Sequence, residues 1–300
     1  MRVLVARAGA LGDVVLLGPA LWDLREAGCR VELLAPARLA APLLASGLVD
    51  GVLDLESADL AHLLTDQPSA AWEQRLAACQ AAVLFSRSHE LEQALTRRVP
   101  RVVTRAPRPP EGTHAAEWYR SPLAQLHLRR VELLPPWPTA PLAPATDRLL
   151  DRLGGPGFVS AHPGSGSPRK NWAAERFVAV ARGLSAGRPW LHVRGPAEAA
   201  HRTPEGALPA HDLPLDQLAA LLARTGLHLG NDAGVSHLAA AVGAPTVCLF
   251  GPTDASCWAP LGPRVRVVLA PQGNLERLGV ETVAAAARAL RSEALAPPCG

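Results

Sequence analysis

A single lysine, Lys170, stands among 30 basic residues, and the other 29 are arginine. It lies in the segment HPGSGSPRKNW, residues 162–172, where small residues and the hydroxyl groups of Ser165 and Ser167 precede it. Arginine presents a planar fork and lysine a compact charge, so the two are not interchangeable at every anion site. The segment could hold a phosphate, because the helix predicted to follow it would add free N–H groups and a favourable dipole. An ordinary capped turn is the alternative, and this segment alone does not exclude it.

A second polar cluster lies in the segment GNDAGVSHLAAAVGAPT, residues 230–246, which has the pattern of a strand, an acidic loop flanked by glycines, and a helix. Taken singly, Asp232 could be a helix N-cap and His237 a buried polar residue with a local partner. Together with Gly234, they indicate a second helix N-terminus, which we expect to lie beside the one that follows Lys170. Two converging N-termini are the arrangement that a diphosphate needs.

A third candidate is Asp13, the carboxylate that ends the loop RAGALGD at residues 7–13. This loop lacks the G-x-G-x-x-G spacing of dinucleotide-binding loops. The segment around Lys170 likewise lacks the G-x-x-x-x-G-K-[ST] spacing of P-loops. The sequence therefore gives little support to a dinucleotide site and argues against a P-loop NTPase.

Short apolar strands alternate with helical runs in both halves of the chain, which predicts an α/β protein with parallel sheets. We expect strands at residues 3–6, 31–35, 52–55, 82–85, 157–161, 190–193, 227–229 and 246–250. Helices are expected at residues 14–27, 40–46, 173–184, 215–223, 235–242 and 281–295. Nine prolines crowd residues 107–144, so part of this stretch should be a linker. The prediction is two Rossmann-like domains, residues 1–150 and 151–300, facing a central cleft that binds ligands at the carboxyl ends of the strands.

Composition narrows the class of protein further. A net charge of +3 is too small an imbalance for a dedicated nucleic-acid-binding protein. The five cysteines are scattered without a C-x-x-C pair, which argues against a disulfide framework or a zinc site and fits a reducing cytoplasm. No run of about 18 apolar residues occurs, so any membrane contact is expected to be peripheral.

Three segments together resemble glycosyltransferase family 9, the bacterial family of lipopolysaccharide heptosyltransferases. They are RAGALGDVVLLGPAL at residues 7–21, HPGSGSPRKNW at 162–172, and GNDAGVSHLAAAVGAPTVCLFGPTD at 230–254, of which the last is the most specific. The proline-rich middle matches poorly, and position 233 is Ala where many relatives have Thr or Ser. The resemblance implies a GT-B fold with an N-terminal acceptor domain, a C-terminal nucleotide-sugar domain, and a terminal helix that packs back across the hinge.

The resemblance also implies roles for individual residues. Asp13 would be the catalytic base that takes the proton from an acceptor hydroxyl in a single inverting displacement. A helix start favours the carboxylate and weakens its basicity, so a purely capping Asp13 is the alternative. Lys170, the second catalytic residue, would stabilise charge on the departing phosphate. The donor-binding set would be Ser165, Ser167 and Lys170 at the diphosphate, Glu198 at the ribose, Leu213 at the base, and Asp232, Gly234 and His237 facing the phosphates.

The function implied is an inverting glycosyltransferase that moves a sugar, with ADP-heptose as the favoured donor, to a lipopolysaccharide-core or related glycan acceptor. No D-x-D triplet occurs, so we expect no metal and no cofactor. The arginines within residues 97–130 would suit an acidic glycolipid acceptor and contact with an anionic membrane, solvated surface being the alternative. A cytoplasmic protein, in peripheral contact with the inner membrane face, is expected. The other functions considered are a non-catalytic nucleotide-sugar-binding protein of a glycan-assembly complex and a GT-B sugar-nucleotide epimerase.

Overall fold

The fold is of the α/β class. A computed structural model describes residues 1–132, 134–195, 198 and 202–295. The chain divides into two compact units, the first covering Met1–Leu134 and the second beginning at Pro135.

The first unit contains a five-stranded parallel sheet with the strand order β3-β2-β1-β4-β5. Its strands are β1 (Arg2–Arg7), β2 (Arg30–Ala35), β3 (Gly51–Asp54), β4 (Ala81–Phe85) and β5 (Val102–Arg105). Its helices are α1 (Leu11–Val15), α2 (Gly18–Glu26), α3 (Ala37–Ala45), α4 (Ala58–Leu64), α5 (Ala70–Ala77), α6 (His89–Thr96) and α7 (Ala115–Arg120), the last continuing into a 3-10 turn at Ser121–Leu126. The central strand β1 is buried from Val3 to Arg7, as expected for a strand covered on both faces.

The single helix predicted at residues 14–27 is wrong, because the structure has two short helices, α1 and α2, in its place. Pro19 lies in the first turn of α2. Proline has no N–H to donate, and its ring clashes with the carbonyl four residues earlier, which favours a break in the helix just before this position. Asp13 lies in the short α1, which begins four residues after the end of β1.

The second unit contains a six-stranded parallel sheet with the strand order β11-β10-β9-β6-β7-β8. Its strands are β6 (Val159–His162), β7 (Trp190–Arg194), β8 (Ala207–His211), β9 (Leu227–Asn231), β10 (Thr246–Phe250) and β11 (Val265–Leu269). Its helices are α8 (Pro144–Arg152), α9 (Ala174–Ser185), α10 (Leu215–Leu222), α11 (Gly234–Ala241), α12 (Ala255–Trp258) and α13 (Val280–Leu295). Within this unit α13 packs against α9 and the sheet, in a core that includes Trp172, Phe177 and Trp190.

Both sheets have the strand order of a Rossmann fold, in which the order reverses at one point along the sheet. In the second sheet the reversal falls between β6 and β9, because the chain continues outward from β6 through β7 to β8 and then returns to β9. Ligands of open α/β sheets bind outside the carboxyl ends of the strands at such a switch point. A ligand of this unit is therefore expected to bind at the loops that follow β6 and β9.

No described helix is both long and apolar enough to cross a membrane. The four cysteines within the described residues, Cys29, Cys79, Cys248 and Cys257, are free and buried. Cys299 lies outside the described residues.

Candidate nucleotide-sugar site

Lys170 and Asp232 meet at the switch point of the second sheet. Lys170 ends a 3-10 turn, Pro168–Lys170, in the loop after β6, and Asp232 directly follows β9. The Lys170 Nζ atom donates a hydrogen bond to Oδ2 of Asp232 at 2.8 Å. The Lys170 side chain is 34% exposed and that of Asp232 only 7%. Since an ammonium group has three donors, Lys170 can bind an anion from the solvent side while Asp232 anchors it from the protein side.

Asp232 is a buried carboxylate that lies between two basic side chains. The His237 Nε2 atom lies 3.8 Å from Oδ1, on the oxygen opposite the one that contacts Lys170. Burial by itself would raise the pKa of Asp232, but His237 and Lys170 outweigh it and hold that pKa below its usual value. Asp232 is not the N-cap of α11, since Ala233 occupies that position and no side chain caps the helix. The carboxylate therefore orients Lys170 and does not cap the helix.

Asn231 fastens the Lys170 loop to the end of β9. Its Nδ2 donates to the Pro163 carbonyl at 2.7 Å, and its Oδ1 accepts from the Trp172 N–H at 3.1 Å. Asn231 is fully buried, so these two bonds tie the beginning and the end of the loop to one rigid strand. Sequence reasoning did not select this residue, although it stands inside the segment GND, because its partners become visible only once β6 and β9 are neighbours.

Two helices begin at this edge of the sheet. α9 begins at Ala174 and α11 at Gly234, and neither has a side-chain cap. Residues 171–173 separate Lys170 from α9, which begins within one residue of the start predicted from the sequence. Uncapped first turns leave backbone N–H groups for an anion, which favours negative charge beside Lys170.

Ser165 and Ser167 shape the loop. The Ser165 Oγ atom lies 2.7 Å from the Ser167 carbonyl oxygen and 2.6 Å from Oδ1 of Asn171, and it accepts from the Ser167 N–H at 3.2 Å. These contacts close a small turn before Lys170. Ser165 is therefore part of the hydrogen-bonded turn of the loop, and a phosphate contact by either hydroxyl stays a prediction.

The other two predicted donor residues lie after β7 and β8. Glu198 is buried, and its Oε2 accepts from the Gly195 N–H at 2.8 Å and lies 3.6 Å from His162 Nε2, at the end of β6. A Cβ atom at Gly164 would lie 2.2 Å from the Glu198 carboxyl, so any other residue there would displace that carboxyl group or the loop. The structure thus brings Glu198 to the start of the Lys170 loop. Leu213 is half-buried in the connection between β8 and α10.

Asp13, in the first unit, is held by the chain around it. Its Oδ1 accepts from Arg7 Nη2 at 2.6 Å, and its Oδ2 accepts from the Ala10 N–H at 2.9 Å, which is a capping contact of α1. Arg7 also donates to the hydroxyl of Tyr119 at 3.1 Å, and both of these residues are buried. Burial raises the pKa of Tyr119, so the phenol stays protonated beside Arg7. The carboxylate is therefore fixed in one orientation, and a role as base would add to its capping role.

Most arginines of residues 97–130 form hydrogen bonds or ion pairs with other residues of the first unit. Arg120 forms a bidentate pair with the buried Asp23, with both N···O distances at 2.7 Å, which makes it a structural residue. Arg98 pairs with Asp66 and Glu73. Further hydrogen bonds to the protein are made by Arg97, Arg101, Arg105 and Arg130. Arg108 and Arg129 are exposed and remain as candidates for an acceptor contact.

Two units, each built on a parallel sheet with Rossmann strand order, form the fold of the GT-B class. The model of one family, described as glycosyltransferase family 9 (heptosyltransferase), matches residues 53–286. The chain belongs to this family and is a glycosyltransferase.

Solved structures share the fold of this chain. A glycosyl transferase family 9 protein from Veillonella parvula shares 20% identity at a TM-score of 0.80, with 97% of each chain covered. The ADP-heptose lipopolysaccharide heptosyltransferase II of E. coli shares 19% identity at a TM-score of 0.77, covering 99% of this chain and 100% of its own. The E. coli heptosyltransferase WaaC, solved with ADP, shares 20% identity at a TM-score of 0.75, covering 97% of this chain and 100% of its own. A comparison with curated protein sequences finds no match.

Proposed function

We propose that the protein is an inverting, metal-independent glycosyltransferase that uses ADP-heptose and acts on a lipopolysaccharide-core or related glycan acceptor. The observation that carries the proposal is the Lys170–Asp232 pair, 2.8 Å apart at the switch point of the second sheet. The choice of donor follows from heptosyltransferases of the same fold, since one of them is named for ADP-heptose and another was solved with ADP.

In this proposal the second unit binds the donor. Lys170 and the first turns of α9 and α11 supply the positive field around the diphosphate that other transferases obtain from a divalent ion. Ser165, Ser167, Asp232, Gly234 and His237 surround the phosphates, Glu198 binds the ribose, and Leu213 packs on the base. No group of three or more metal-ligating side chains lies together among the described residues. The proposal of metal independence depends on the charge of Lys170 and is tested by adding a chelator.

The first unit would bind the acceptor and supply Asp13 as the base. The acceptor hydroxyl oxygen attacks the anomeric carbon, its proton passes to Asp13, and the bond from that carbon to the phosphate oxygen breaks. ADP then leaves with its charge stabilised by Lys170. The exposed Arg108 and Arg129 would face an acidic acceptor or the surface of an anionic membrane. That α13 packs across the hinge stays a prediction.

A thermal-shift screen of nucleotides and nucleotide sugars tests the donor. We expect ADP and ADP-heptose to raise the melting temperature more than UDP or GDP, because a ligand that binds only the folded state stabilises it. Stabilisation by UDP or GDP, with none by ADP, would contradict the proposed donor.

A transfer assay separates the proposal from its alternatives. Turnover of ADP-heptose should require an acceptor, survive EDTA, and be lost in Asp13→Ala, while ADP affinity changes little in that variant. Binding without transfer to any glycan acceptor would indicate a non-catalytic protein, and interconversion of the donor without acceptor would indicate an epimerase.

A further inference from the structure

His162 is a buried histidine that makes no hydrogen bond to the part of the chain that the structure describes. It ends β6, its side chain is 6% exposed, and neither ring nitrogen makes a hydrogen bond within the described residues. Buried polar groups in folded proteins almost always have partners, so an unpaired imidazole next to a candidate site requires an explanation.

The nearest acidic group to this imidazole is the carboxyl group of Glu198. The His162 Nε2 atom lies 3.6 Å from Glu198 Oε2, and the same oxygen accepts from the Gly195 N–H at 2.8 Å. The backbone at Gly164 forms the wall against which the carboxyl group rests, because a Cβ atom there would overlap it. A movement of about 1 Å would bring Nε2 and Oε2 to hydrogen-bond distance.

The neighbouring imidazole cannot take this role. His228, opposite Ser160 in the pairing of β9 with β6, has its Nδ1 at 2.9 Å from the Ser160 hydroxyl. Burial, and then the proximity of His162, lowers the pKa of His228 to about 3. His228 is therefore a neutral residue of the core, and His162 is the imidazole that faces Glu198.

We propose that His162 is a positioning residue for Glu198, which donates from Nε2 to Oε2 and so fixes the carboxyl plane that binds the ribose hydroxyls of the donor. This inference rests on the proposed function, in which Glu198 contacts the ribose. Two donors on one oxygen, from Gly195 and from His162, would orient the carboxyl group before the ligand arrives, which is how supporting residues strengthen a binding group.

The test compares affinities for ADP and for 2′,3′-dideoxy-ADP, which lacks both ribose hydroxyls, by isothermal titration calorimetry. The wild-type protein should prefer ADP, and Glu198→Gln should lose about tenfold of that preference. His162→Phe fills the same space without a donor and should lose a similar factor, with affinity for the dideoxy compound nearly unchanged. The double variant should lose no more than either single variant.

Rescue separates positioning from packing. The amide nitrogen of Gln can replace Nε2 as a donor, whereas that of Asn corresponds to Nδ1, so His162→Gln should recover most of the preference and His162→Asn should not. This pair decides the question even where His162→Phe fails to fold.

Two results would overturn the inference in distinguishable ways. Equal losses for both nucleotides in the His162 variants, while Glu198→Gln loses the preference for ADP, would overturn the positioning role alone. A wild-type protein that fails to bind ADP, or that binds both nucleotides equally, would overturn the role of Glu198 and the proposed donor site with it.

Discussion

Asn231 shows how one buried amide can set the geometry of a charged pair. Its two hydrogen bonds hold both ends of the loop that carries Lys170. The next residue, Asp232, accepts a hydrogen bond from the Lys170 ammonium group. A partly exposed lysine on an untied loop would have many conformations, and holding it in one of them costs entropy. Asn231 and Asp232 hold Lys170 in one conformation in the folded protein, so this entropy is lost on folding and not on ligand binding.

We expect Asn231→Ala to lower the stability of the protein by about 1–3 kcal/mol, because two buried backbone groups lose their partners. The affinity for ADP should fall by about tenfold in addition, since the loop would no longer hold Lys170 in place. Chemical unfolding and calorimetric titration measure the two effects. Asn274→Ala, which removes only a hydrogen bond to the Glu276 N–H in an exposed turn, is the control and should leave ADP affinity unchanged. An Asn231 variant that binds ADP like the wild type would contradict this role.

The loop between β6 and α9 depends on glycine at one position and not at another. Gly164 lies against the carboxyl group of Glu198, whereas a Cβ atom at Gly166 would meet no atom of the described residues within 4 Å. Neither glycine has a positive φ angle, so a change to alanine at either position acts through the space it fills.

Gly164→Ala should weaken ADP binding by about tenfold or more, because the new methyl group must displace Glu198 or the loop. Gly166→Ala is a matched control in the same loop and should change the affinity less than about twofold. Calorimetric titration of both variants with ADP measures the difference. Equal affinities of the two variants would show that the packing of Gly164 on Glu198 has no part in binding.

The strands that the sequence did not predict all lie at sheet edges. β5 is an edge strand of the first sheet, and β8 and β11 are the edges of the second. An edge strand pairs on one side only and is partly exposed, so it lacks the continuous apolar run by which β4, β9 and β10 were predicted. β8 also contains Pro209. An edge strand tolerates proline, but proline argues against a strand when only the sequence is known.

The same reasoning explains which parts of the site could be predicted. Lys170 stood out as the single lysine, in a loop rich in small residues, and Asp232 because it follows an apolar strand in a loop flanked by glycines. Asn231 and His162 did not, because their importance depends on the pairing of β6 with β9, and these strands are more than 60 residues apart in the chain. The roles of all these residues in binding and catalysis stay predictions.

A small group of buried polar side chains lies where β6 pairs with the beginning of β9. His228 contacts the Ser160 hydroxyl at 2.9 Å, and Thr225 lies 3.2 Å from the same hydroxyl. His228 is fully buried, and its pKa is lowered to about 3, first by burial and then by His162 on the adjacent strand. The folded protein therefore keeps this imidazole neutral, whereas the unfolded chain protonates it near pH 6.5.

This difference makes the stability of the protein fall with acid. Below about pH 6.5 the unfolded state binds a proton that the folded state excludes, so the free energy of unfolding decreases as pH falls toward 3. His228→Asn keeps a partner for Ser160 and should flatten the decrease by about 1.4 kcal/mol per pH unit between about pH 5.5 and 4. Urea unfolding of the variant and the wild type at matched pH values measures this slope. The exposed His89→Asn is the control, and the idea fails if both variants have the slope of the wild type.

The central claim is that Lys170, anchored by Asp232 at the switch point of the second sheet, binds the diphosphate of the donor. The most direct measurement is the affinity for ADP-heptose of Lys170→Ala and of Arg169→Ala, which removes the exposed charge next to it in the chain. We expect the Lys170 variant to bind at least about tenfold more weakly, since it loses a charge-assisted contact, and the Arg169 variant to bind within about twofold of the wild type. Equal affinities for the Lys170 variant and the wild type, or equal losses in both variants, would contradict the account.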